Sequence, residues 1–267
     1  MDTWPEYVER AFRTFYYGGQ YEQSLETFVR RWGGSDIQTF AQVLSVGTQE
    51  EKVLALFAIG YSGTPQAQDI LRPFLQSTQP MERWASALCL GELKDEQAIP
   101  VLVDLLDEFV PPRMHPLERD GGLYQFWRIK AVSLLGAWER EDLAPLLRAA
   151  LEESWKLEQA DAIDRKQVWH PYQDELAYAL GHLGAFGTFT GLALPTPRLH
   201  LWMVTLACGS LQARTRYGDL LTQIQINAAL QEEVIHVLEH RFGLSGEERK
   251  QCIEQYADDY FARMKWT

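Results

Sequence analysis

Six histidines are spread through the 267-residue chain, and one pair, His236 and His240, has a spacing that chemistry uses. On a helix, i and i+4 place both imidazoles on one face, the arrangement by which HExxH binds zinc. Here Val237 follows His236, so the general base of such a protease is missing, and the pair reads as a solvated helix face. Asp258-Asp259-Tyr-Phe-Ala lacks the third carboxylate of a DDxxD metal motif and reads as solvated or capping. Asp161, Asp164 and Asp174 have the chemistry of a general acid or base, but carboxylates on an acidic stretch are usually just solvated. The glycine-rich GHLGAFGTFTG after Leu180 has no Gly-Lys-Ser/Thr ending, which favours a degraded, shortened helix over a phosphate cradle. Neither GxSxG, CxxC nor a dinucleotide-binding fingerprint occurs. No catalytic residue, cofactor or metal site is assigned.

Aromatic residues offer a different chemistry. Tyr124 with Trp127, and Trp169 with Tyr172, are two pairs that superpose on a shift of 45 residues. A spacing of three puts each pair on one helix face. Each follows a polar stretch, DEFVPPRMHPLERDGG (about 107–122) and EESWKLEQADAIDRKQ (about 152–167). Aromatic anchors with a polar rim suit a binding edge. That candidate edge comprises Arg113, His115, Asp120, Tyr124, Trp127, Asp164, Arg165, Trp169, His170 and Tyr172, with Glu118 beside them. The other reading is that the rings pack these stretches down onto the fold, and both stay open.

The elements that must position this edge are helical hairpins. From Pro80 to Glu108 two amphipathic segments flank a turn at Glu-Leu-Lys-Asp, the second opening on Ile99-Pro100. Neither could bury its face alone, so the unit needs neighbours. They are present: Gly91 recurs in register as Gly60, Gly136, Gly181 and, in a weaker copy, Gly209, at spacings of 31, 45, 45 and 28 residues. The basic Lys52, Arg83 and Arg128 and the apolar Leu71, Leu102 and Leu147 recur with it. The two polar stretches are the extra length of the 45-residue units. Insertions at one structural position emerge on one edge of a stack of repeats. The first, with Pro111-Pro112 and Gly121-Gly122, reads as a loop and the second as a helical extension.

ERWASALCLGELKDEQAIPVLVDLLDE resembles a HEAT repeat, of the short bacterial kind seen in phycobilisome-lyase-like HEAT proteins. The basic residue, the alanines, the Leu-Gly pair and Ala-Ile-Pro carry the resemblance, closely over 51–153 and more loosely to about 209. It implies an all-α, right-handed α-α superhelix of about five hairpins with capping helices at both ends. It further implies a non-catalytic scaffold that binds a protein or peptide through its concave face and insert edge. Bilin-lyase-like chemistry on a flat aromatic ligand, or carriage of one, is the alternative, but no catalytic residue is transferred by repeat-skeleton positions alone. The His-Glu pairs of di-iron HEAT hydroxylases do not occur. HEAT-like DNA glycosylases need a basic groove, and no Lys/Arg cluster is visible.

Composition agrees. A formal charge of −12 opposes non-specific nucleic-acid binding, which depends on phosphate neutralisation, and suits a basic partner surface. At 46% hydrophobic residues the chain can bury a core, and its apolar runs are too short to span a membrane. The start, MDTWPEYVER, has no signal-peptide pattern, and three cysteines that cannot all pair favour a reducing cytoplasm. One domain is expected, with a cap over 1–34, repeats over 35–210 and capping helices over 211–267. Phe12, Phe15, Tyr16, Tyr17, Tyr21 and Phe28 belong to the first cap, and Ser245 with Glu248 forms a capping box in the last.

Overall fold

The computed structural model describes residues 5–15, 21–107, 122–160, 166–189, 191–192, 194–212 and 228–264. Every regular element among them is an α- or 3-10 helix, as the all-α expectation required. Contacts divide the chain into two compact units, Met1–Leu134 and Leu135–Thr267.

The first unit contains α1 (Glu6–Phe15), α2 (Tyr21–Trp32), α3 (Ile37–Val46), α4 (Gln49–Tyr61) and α5 (Ala67–Leu71), which tightens into a 3-10 turn over Arg72–Gln76. α6 (Pro80–Glu92), α7 (Ile99–Asp107) and α8 (Gly122–Gly136) follow, the unit boundary falling near the end of α8. Two N-termini are set by side chains. The Asp36 carboxylate accepts the Thr39 N–H at 2.8 Å, and Thr48 with Glu51 closes a capping box. α4 packs against α1, α3 and α6, and α6 against α7 as well. Their sequences show why: Val53–Gly60 and Trp84–Gly91 are buried throughout, the mark of helices covered on all sides. Phe12, Phe15 and Phe28 are buried, and the Phe28 ring meets Phe12 edge-on at 5.6 Å and stacks on Phe40 at 5.4 Å. Tyr16 and Tyr17 lie outside the described residues, as does the side chain of Tyr21.

In the second unit, α9 (Ala144–Ala160) and α11 (Thr196–Ser210) both pack on α10 (Lys166–His182), and α11 carries α12 (Ala228–Phe242) and α13 (Gly246–Met264). α9 runs on to Ala160, so the second insert extends a helix as far as the description reaches. Between α10 and α11 the described residues form turns, the degraded second helix expected there. The capping box at the start of α13 is made: Ser245 N–H donates to Glu248 at 2.8 Å, and Glu248 N–H to Ser245 Oγ at 3.4 Å.

One backbone feature proves the repeat. The residue three past each register glycine has positive φ: Gly63 (63°), Lys94 (57°), Glu139 (54°), Gly184 (69°) and Gln212 (51°). This left-handed residue ends each first helix and turns its last amides onto free carbonyls. Asp95 N–H reaches Leu90 O, and Ala185 N–H reaches Leu180 O, both at 2.9 Å. The weak fifth copy, ending at Gly209, shares the device. Close approach explains the register glycines themselves. A Cβ on Gly136 would sit 2.8 Å from that of Ala179, and one on Gly181 would run into the Leu206 carbonyl oxygen.

Candidate functional site

Of the expected edge, Arg113, His115, Asp120, Asp164 and Arg165 lie outside the described residues, as do the side chains of Tyr124, Trp169 and His170. The two that are described are buried: Trp127 is 0% and Tyr172 1% exposed. Trp127 meets Phe57 of α4 edge-on at 5.4 Å, so it packs α8 onto the first unit's core. At these two positions the packing reading is the one that burial supports. Beside Trp127, however, Phe126 is 50% exposed. Sequence reasoning missed Phe126. Its signal was the 100° step around a helix, which turns adjacent residues to different faces.

The recurring basic residue has a definite job. Arg83 donates to the Ser77 carbonyl at 2.9 Å and Arg128 to the Leu106 carbonyl at 2.5 Å. Both carbonyls end the second helix of the preceding repeat, where orphan acceptors and the negative end of the helix dipole favour a cation. Arg83 and Arg128 thus tie their two repeats to the ones before them.

One cluster of titratable groups in the first unit joins α1, α4, α6 and α8. Glu92 Oε1 accepts from Arg10 at 3.2 Å and also pairs with Lys130, and the Arg10 guanidinium lies 4.0 Å over the Tyr61 ring. Burial pushes the Glu92 carboxyl up, but the Lys130 hydrogen bond and charge, with Arg10, outweigh it and hold it below the usual range. Burial, with Cys89 nearby, raises the Tyr61 phenol, and burial raises the Cys89 thiol. Cys89 Sγ–H donates to Leu56 O at 3.6 Å. A neutral, buried thiol and a carboxylate shared by two cations give neither a nucleophile nor a base. This cluster ties α1 down.

In the second unit the rings of Trp155, Trp202, Phe189, Phe242 and Phe186 form a chain with centroid steps of 5.9, 6.0, 6.4 and 5.8 Å. Arg198 sits 5.7 Å from Trp155 and Arg241 5.1 Å from Phe186. Trp202 and Phe189 are buried while Trp155, Phe186 and Phe242 are half-buried, so the row of rings runs from the core to the surface, where the two arginines meet its ends. All three cysteines are free and buried, and burial takes the Cys208 thiol to about 12. Among the described residues no three His, Cys, Asp or Glu gather for one ion, and no helix is long and apolar enough to cross a membrane.

Stacked hairpins with a shared glycine register and cationic helix caps define a helical-repeat protein. Residues 37–113 match the family model of HEAT repeats, a region that holds the register glycines Gly60 and Gly91. None of the curated proteins compared with the chain matches it.

Proposed function

We propose that this chain is a non-catalytic interaction module that binds a protein or peptide, the first unit contributing the surface beside its insert. HEAT repeats generally mediate protein interactions, by presenting an extended surface on a rigid stack. The observation that carries the reading is the division of labour on α8: Trp127 is spent on the core while Phe126 stays half exposed directly after the first insert. Interfaces use such an aromatic within a polar rim, which the insert residues Arg113, His115 and Asp120 supply in sequence. The acidic balance favours a basic partner surface.

The test is affinity capture from the source organism's lysate with wild type, Phe126→Ser and Arg113→Ala/His115→Ala. A stoichiometric partner held by wild type and lost by both variants supports the edge; one held equally by all three moves the site elsewhere. If no protein is captured and native mass spectrometry finds a bound flat aromatic molecule, the carrier or lyase-like reading replaces this one.

A further inference from the structure

We propose that the cleft between α12 and α13 binds a small aliphatic carboxylate, its charged end on Arg249 and its chain on Ile235 and Ile253. The cleft has a volume of about 410 Å³ and lies wholly within the second unit. Small-molecule sites span about 300–1,000 Å³ and combine an apolar lining with a few polar groups that fix orientation. Ile235 of α12 and Ile253 of α13 supply the apolar surface here, and Gln231, Arg249, Lys250 and Glu254 the polar groups. Among the described residues no aromatic side chain lines the cleft, so an aliphatic chain suits it better than a flat ring.

Arg249 decides the ligand's chemistry. Its Nη1 donates to Glu239 at 2.5 Å, and Glu239 is not one of the lining residues, so the guanidinium is oriented from outside the cleft. Nη2 lies beside Gly246, 3.5 Å from where a Cβ would stand, which puts the group at the wall that Gly246 helps to form. Nε is buried with no acceptor among the described residues. Leaving a buried donor of a charged group unpaired is costly, and native structures nearly always give it a partner. A carboxylate is the acceptor such a donor favours, through a short charge-assisted hydrogen bond. Charge points the same way, since two cations, Arg249 and Lys250, line the cleft against one carboxylate, Glu254. Lys250 meets Glu254 at 3.7 Å on the exposed rim, a weak pair that leaves its ammonium able to turn to the ligand.

The experiment titrates the full chain with octanoate and, in parallel, with 1-octanol, read by calorimetry and by hydrogen exchange of α12 and α13 peptides. Wild type takes up one octanoate per chain and gains protection in both helices. It binds octanol at least about tenfold more weakly, the factor that loss of one charge-assisted hydrogen bond carries. Arg249→Gln weakens octanoate by at least the same factor, with circular dichroism checking that the helices remain. Lys250→Glu, at an exposed helix position where the fold is not at stake, also weakens octanoate and decides the matter if Arg249→Gln does not fold. Absence of saturable octanoate uptake, octanol bound as tightly as octanoate, protection gained outside α12 and α13, or uptake unchanged in Lys250→Glu or in folded Arg249→Gln would each overturn the proposal.

Discussion

Replacing Gly181 with alanine tests how closely α10 and α11 approach. In an open helix the change is favourable, because alanine has the higher propensity by about 0.8–1.0 kcal/mol. Here the added Cβ would penetrate the Leu206 carbonyl oxygen and lie 2.8 Å from its carbon and 3.0 Å from Leu206 Cα. Those atoms are backbone and cannot swing away, so the helices must part. Overpacking a well-packed interior costs about 1–3 kcal/mol, sometimes more, and a backbone clash belongs at the upper end. The net expectation is a loss of about 2 kcal/mol or more. Gly91 is the internal control: its added Cβ would meet Leu134 Cδ1 at 2.9 Å and Leu102 Cδ1 at 3.2 Å, the far ends of rotatable side chains. Relaxation there offsets propensity, so Gly91→Ala should stay within about 1 kcal/mol of wild type. Urea unfolding followed by circular dichroism measures both, and hydrogen exchange of α10 and α11 peptides places the loss. Gly181→Ala as stable as wild type, with unchanged exchange, would refute the close-approach account of the register.

Glu139→Gly removes a left-handed strain of about 1–2 kcal/mol and adds back about 0.5–1 kcal/mol of chain entropy, so the variant should gain roughly 0.5–1 kcal/mol in thermal melts. Trp127→Ala empties a fully buried site and should lose about 3–5 kcal/mol in urea unfolding; a surface tryptophan would lose far less. Glu92 has a depressed carboxyl in the folded chain, so its contribution is whole above the ordinary glutamate value of about 4.3 and is lost as pH falls through the lower folded value. The stability gap between wild type and Glu92→Gln should therefore be present at neutral pH and close under acid, and a gap independent of pH would remove the ion-pair account.

The fold was legible because packing constraints recur. Gly60, Gly136, Gly181 and Gly209 stand where two helices nearly touch, Gly91 where leucine side chains close over the helix, and Arg83 and Arg128 where a helix end needs a cation. Such needs leave fixed residue types at fixed spacings. The end of α9 was less legible, since an acidic stretch such as EESWKLEQADAIDRKQ suits both an exposed helix and a loop. The edge was legible as a place in the repeat but not as a surface. Spacing of three puts Tyr124 and Trp127 on one face without saying whether that face meets Phe57 or solvent, and the structure turns Trp127 inward and leaves Phe126 out.

By itself the sequence determined the class of structure: local helix signals, repeated in register, admit only hairpins that bury their faces against copies of themselves. Tertiary structure decided which aromatic is core and which is surface, that Arg10 and Lys130 share Glu92, and that His236 and His240 hold their rings together. Those facts depend on distances between residues remote in sequence and on side-chain direction. Periodicity carries neither.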